Sequence, residues 1–202
     1  MNIVVIGTGM YSTGRGTSGY GTILPAIIEW QRDYSSLKKV IFVGTNGNNT
    51  SALREKSNSL MRETGVSADV SFFPEPGVKD SSFYKKIISE IPRPACAIIV
   101  VPDHLHFQVA KDCLNANLPV LIVKPLTPNL NDAKKLVNLA SQKSLHALVE
   151  FHKRYDKSNL MIRDKLQSGN LGELLYCWVE YSQRKSIPME IFKDWADKTS
   201  IL

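Results

Sequence analysis

The residues of this chain best placed to do chemistry follow short apolar runs. Gly7-Thr8-Gly9 comes directly after Asn2-Ile3-Val4-Val5-Ile6, an apolar and β-branched stretch. A buried parallel strand that stops at a glycine turn is how a dinucleotide-binding βαβ unit begins. The first glycine makes the turn as the chain leaves the sheet, and the second lets a pyrophosphate approach the backbone. On this reading Gly7, Thr8, Gly9 and Met10 meet the phosphates, with Ser12 where a third glycine or alanine would stand. A fuller match to the spacing, Gly14-x-Gly16-x-x-Gly19, lies several residues beyond the strand, so the first pair is favoured. The bland alternative is an ordinary glycine-rich loop. No Gly-Lys-Ser/Thr follows Gly9 as a Walker A loop requires.

Other strand ends carry reactive groups. Lys124 closes the run 119–123 and precedes Pro125. A lysine at the mouth of a buried crevice loses water and can handle a proton; otherwise it snorkels to solvent. His104 and His106 stand two apart, a spacing that suits a metal, but no third ligand follows at useful spacing, so metal is not expected. His104 can instead cap the helix after it. At the end of the second apolar run, an NAD site has an acid for the ribose hydroxyls. Here Gly44-Thr45-Asn46 stands in its place, with no acid before Glu55. Thr45, Asn46 and Asn48 would not repel a 2′-phosphate, and Arg54 or Lys56 can reach one. NADP(H) is therefore expected to bind at least as well as NAD(H), unless Thr45 and Asn46 serve only the turn.

These groups need a frame. Strands are predicted at 2–6, 39–43, 69–73, 95–101, 119–123 and 146–151, and helices at 22–32, 50–64, 82–91, 106–116 and 131–142. The first helix starts late, with Pro25 in its first turn and residues 14–21 as a flexible polar flap beside the phosphates. Arg15 is the flap's one charge, and Thr50 is the expected N-cap of the second helix. Strands alternating with helices read as α/β, a Rossmann-like doubly wound parallel sheet. Its strand C-termini share one edge, so the loops at Gly7, Thr45, Pro102, Lys124 and His152 should converge on one crevice. The pattern then changes to a helix at 157–167 and a long alternating strand at 173–182, an incomplete α+β second domain. The expected division is 1–151 and 152–202.

Composition fits a soluble globular protein, with 43% hydrophobic residues and a net charge of +6. The basic residues are scattered pairs, as on solvated helix faces, which argues against nucleic acid. No run of eighteen apolar residues and no signal-peptide pattern occurs, so no membrane partner is expected and the chain reads as cytoplasmic. Cys96, Cys113 and Cys177 lie far apart and read as reduced core thiols.

Together these motifs resemble the Gfo/Idh/MocA oxidoreductases, a family that includes glucose–fructose oxidoreductase and inositol 2-dehydrogenase. The matching pieces are Gly7-Thr8-Gly9, Pro102-Asp103-His104-Leu105-His106, Lys124-Pro125-Leu126, His152-Lys153-Arg154-Tyr155 and Gly169-Asn170-Leu171-Gly172-Glu173. The resemblance implies a catalytic Lys124 that bonds the substrate hydroxyl and works beside His152, with Lys124 and Pro125 also lining the cofactor. It implies that Pro102, His104 and His106 line the nicotinamide ribose, and that Arg154 lies near nicotinamide and substrate unless it is a structural ion-pair partner. Val123 replaces a family glutamate. The implied function is NAD- or NADP-dependent hydride transfer on a sugar, cyclitol or related polyol. The alternative is a non-catalytic dinucleotide-binding or sensor protein, because the family's histidine motif, a little beyond Trp195, has no counterpart before Leu202. A homo-oligomer joined through 173–182 is expected.

Overall fold

β1 (Asn2–Ile6), β2 (Lys39–Val43), β3 (Val70–Phe73), β4 (Ala95–Ile99), β5 (Val120–Val123) and β6 (Ala147–Glu150) form one sheet in a computed structural model that describes residues 1–182. The order across the sheet is β3-β2-β1-β4-β5-β6, with β1 paired parallel to both β2 and β4. Alternation along each strand sends side chains to two faces. Ile3, Val5, Val40, Phe42 and Phe72 pack under α2 (Ile23–Tyr34) and α3 (Thr50–Thr64). Val4, Ile6, Ile41, Val43, Ala97 and Ile99 pack under α4 (Phe83–Glu90), α5 (His106–Asn115) and α6 (Leu130–Gln142). Helices on both faces explain why β1, β2 and β4 read as continuous apolar runs rather than as alternating ones. The doubly wound parallel sheet is as the sequence predicts, with element ends shifted by a residue or two.

The chain divides into two compact units, Met1–Val149 and Glu150–Leu202. In the second, a 3-10 turn (His152–Tyr155) leads into α7 (Lys157–Gln167), whose N-cap Asp156 accepts a hydrogen bond from Asn159 N. The strand expected at 173–182 is not formed, and these residues have no regular structure. Alternating residues become a strand only when a neighbour takes their N–H and C=O groups. Trp195 lies outside the described residues.

Three further expectations are corrected. The first helix does not wait for Thr22: a single turn, α1 (Met10–Thr13), follows Gly9, and α2 is a separate helix. Thr50 is the first residue of α3 rather than its cap, and its Oγ1 donates to Gly47 O at 2.7 Å. Asn46 instead caps the preceding 3-10 turn (Gly47–Asn49), its side chain accepting from Asn48 N. Of the cysteines, Cys113 is buried and Cys96 half-buried, but Cys177 is exposed and is no core thiol. Burial pushes the Cys113 thiol up to about 12.

Candidate functional site

β1 lies between β2 and β4, so the chain turns one way to β2 and the other way to β4. Such a switch point opens a crevice at the strand C-termini. Close contacts join four of these ends. Gly7 has φ +113° and donates its N–H to Val43 O at 2.8 Å, and a Cβ on it would lie 2.0 Å from Val100 O. Only glycine fits between the ends of β1 and β4. Gly44, after β2, sits so close to Thr8 that a Cβ there would come within 2.5 Å of Thr8 Oγ1. His106 ties the loops after β4 and β5: Nδ1 lies 2.6 Å from Pro125 O and Nε2 2.8 Å from Val101 O. The ring thus spans the two loops, one nitrogen toward each carbonyl.

The glycine turn has the shape a dinucleotide needs. Gly9 is the N-cap of α1 in extended conformation, and a Cβ built on it meets nothing within 4 Å. Thr13 Oγ1 donates back to Gly9 O at 3.1 Å and lies 3.3 Å from Thr8 O, fixing the turn from below. The backbone from Gly7 to Met10 thus keeps an open face, and the residues present fit a pyrophosphate laid against it. Gly9 and Met10 are half-buried.

Two of the expected contacts do not hold. Ser12 is fully buried at 0% exposure, with no hydrogen-bond partner for Oγ among the described residues, so it packs under the turn. His106, at 1% exposure, spends both ring nitrogens on backbone and is a strut between loops. Asp103 lies three residues before it, in the 3-10 turn 103–105, with Oδ2 buried and without a hydrogen-bond partner among the described residues. Pro102 and His104 are exposed at the end of β4. Lys124 is also exposed, against the expectation of a desolvated lysine, and has no partner among the described residues. Pro125 follows it through a cis peptide bond.

After β2, Thr45 is exposed and its carbonyl accepts from Asp80 N at 2.9 Å. Asn46 is committed to its cap, as the turn-only reading of that residue held. Asp80 brings an acid next to Thr45 in the chain trace, but hydrogen bonds from Ser82 Oγ and N hold its carboxyl below the usual range and use Oδ1. Nor are the two cations counted on for a 2′-phosphate idle. Arg54 Nη2 reaches Phe72 O and the Glu75 carboxylate at 3.4 Å, and Lys56 Nζ donates to Gly14 O at 2.7 Å and Thr17 O at 2.8 Å.

In the second unit, His152 Nδ1 sits 3.1 Å from Glu150 Oε1, which orients the ring. Arg154 stacks on Phe151 with its guanidinium 4.8 Å from the ring centroid. The contacts of Gly44, Thr13 and Asp103 were missed by sequence reasoning, and Lys56 was read for a 2′-phosphate rather than for the 14–21 loop. Gly44 follows a strand and could have been flagged as a close approach; the others carry no local signal.

Comparison with known proteins agrees with this geometry. Residues 1–151 match the profile of the Gfo/Idh/MocA family, an oxidoreductase family with an NAD-binding Rossmann fold. An inositol 2-dehydrogenase of Corynebacterium glutamicum is 37% identical over 79 residues, 39% of this chain and 23% of that protein. An uncharacterized oxidoreductase of Schizosaccharomyces pombe is 36% identical over 78 residues, 39% of this chain and 21% of its own length. Among solved structures, myo-inositol 2-dehydrogenase from Lactobacillus plantarum superposes with a TM-score of 0.67 at 18% identity, covering 98% of this chain and 50% of that one. A scyllo-inositol dehydrogenase from Lactobacillus casei, solved with NAD(H) and scyllo-inositol, gives a TM-score of 0.57 at 17% identity over 85% of this chain and 42% of its own. The matches span less than a quarter of these two curated relatives and half or less of these two solved chains. With a glycine turn at the switch point of a 3-2-1-4-5-6 sheet and a profile match over three quarters of its length, the chain belongs to the Gfo/Idh/MocA oxidoreductase family.

Proposed function

We propose that this chain binds a nicotinamide dinucleotide across the ends of β1, β2 and β4, and serves hydride transfer on a sugar, cyclitol or related polyol. The observation that carries this reading is the open face at Gly9, set where the strand order reverses. Support for the substrate class comes from the inositol dehydrogenases it resembles. When bound, the nicotinamide supplies the hydride acceptor or donor.

The chain's own residues do the rest. Gly7, Thr8, Gly9 and Met10 present backbone to the pyrophosphate, and Thr45 reaches the adenosine ribose with its hydroxyl. Pro102 and His104 form the wall at the end of β4. Lys124 holds the substrate hydroxyl and takes or returns its proton, and its exposure in this structure leaves it open to that hydroxyl. His152, oriented by Glu150, is the second candidate for proton handling, and Arg154 a candidate for polar contact with the ligand.

Between the two dinucleotides we favour NAD(H). The expectation for NADP(H) rested on the absent acid after Val43 together with Arg54 and Lys56, and both of these cations are engaged elsewhere. The non-catalytic alternative is kept apart by turnover. Spectrophotometric assay of NAD+ and NADP+ against a polyol panel, including myo- and scyllo-inositol, should show NAD+ reduction with at least one polyol. Binding of NADH without turnover of any polyol would favour the sensor reading.

A further inference from the structure

The loop at 14–21 is not a loose flap. Gly14 has φ +68°, and a Cβ on it would meet Gly19 O at 1.9 Å, so the loop doubles back on itself through contacts that only glycine allows. Thr17 Oγ1 donates to Gly14 O at 2.9 Å, and Thr22 N donates to Tyr11 O at 2.7 Å, returning the chain to α1. Two side chains of α3 pin this folded loop from outside. Lys56 Nζ donates to the carbonyls of Gly14 and Thr17, and the Glu63 carboxylate, itself bonded by Ser59 Oγ at 3.0 Å, accepts from Tyr20 OH. Positions 56 and 63 are seven apart, two helical turns, and share a face.

Gly14 is also the C-cap of α1, the single turn that starts at Gly9. An ammonium on that carbonyl sits at the negative end of α1 and ties it to the helix that follows the ribose strand. We propose that Lys56 is a positioning residue for the phosphate turn, holding α1 and the 14–21 loop against α3, and is not a ligand for a 2′-phosphate. This rests on the dinucleotide reading of the Gly7–Gly9 turn. The two roles exclude one another, because the ammonium that bridges Gly14 and Thr17 has no second place to be.

The test compares wild type, Lys56→Met and Lys56→Arg by calorimetry with NADH and NADPH, and by limited trypsin digestion read by mass spectrometry at Arg15–Gly16. A positioning role predicts that Lys56→Met weakens both dinucleotides by the same factor, about tenfold, the size of one hydrogen bond to a charged group. Cleavage after Arg15, which is exposed in the loop, should speed up about tenfold as the pin is lost. Lys56→Arg, which keeps donors for both carbonyls, should restore most of each. A loss confined to NADPH would overturn the proposal and make Lys56 a phosphate ligand, and unchanged cleavage at Arg15 would equally overturn it. If wild type binds neither dinucleotide, the reading of the site falls, and the affinity half of the proposal with it. Proteolysis then decides alone whether Lys56 holds the loop.

Discussion

Replacing His106 should loosen the crevice at a measurable cost in stability. The ring is fully enclosed, and its nitrogens meet Pro125 O at 2.6 Å and Val101 O at 2.8 Å. His106→Leu fills similar space but leaves both carbonyls without a donor. An unsatisfied buried acceptor costs about 1–3 kcal/mol, and two in loops able to relax should cost about 2–4 kcal/mol together. His106→Gln returns one donor and should recover about half of that. A domain of this size is stable by roughly 5–15 kcal/mol, so all three proteins remain folded and can be compared. Urea unfolding followed by far-ultraviolet circular dichroism measures the differences. The expected order is wild type, then Gln, then Leu, with gaps of about 1–2 kcal/mol. A Leu variant within about 0.5 kcal/mol of wild type would show that the ring is not the strut between β4 and β5.

Lys124→Ala should abolish turnover while leaving dinucleotide affinity within about threefold; equal losses in rate and affinity would make it a cofactor anchor instead. Stability should also fall in alkali. Burial pushes the Cys113 thiol up to about 12, and burial with the Asp112 carboxylate beside it raises the Tyr84 phenol above its ordinary 10.0. Both groups stay neutral in the fold while the unfolded chain ionises. The Cys113 contribution is therefore full below about pH 8.5 and is lost as pH rises from 9 toward 12, at about 1.4 kcal/mol per pH unit, while the Tyr84 contribution begins to be lost only above about pH 10. Urea midpoints at pH 8 and 10.5 check this, and Cys113→Ala should flatten the slope. Tyr176 and Trp178, each 85% exposed, leave aromatic surface in water, so light scattering should show self-association that Trp178→Ser reduces.

The frame was legible because its signals are local. Asn2–Ile6, Lys39–Val43 and Ala95–Ile99 are apolar enough to be buried on both faces, and the glycine after β1 and the polar turn after β2 mark where they stop. The single turn α1 was missed because four residues hold too little periodicity to register. Thr50 has the chemistry of a cap but lies one residue inside α3. Errors at the site have one cause. Ser12 and His106 have residue types that touch ligands elsewhere, and only packing reveals that Ser12 is sealed beneath the turn and His106 between the loops after β4 and β5. Arg54 and Lys56 looked free in sequence because Glu75 and the Gly14 carbonyl lie 21 and 42 residues away. The segment 173–182 alternates as strands do, yet alternation names a face without supplying the neighbour that pairs it.

Gly9→Val tests the central claim most directly. A Cβ at this position meets nothing within 4 Å and the backbone is extended, so valine fits without a clash and the unfolding midpoint should barely move. The same side chain projects over the turn where the pyrophosphate would lie. Calorimetry with NADH on wild type and variant should show micromolar binding reduced at least about tenfold by the valine. Equal affinity for NADH in the two proteins, or none in wild type, would contradict a dinucleotide site at this turn.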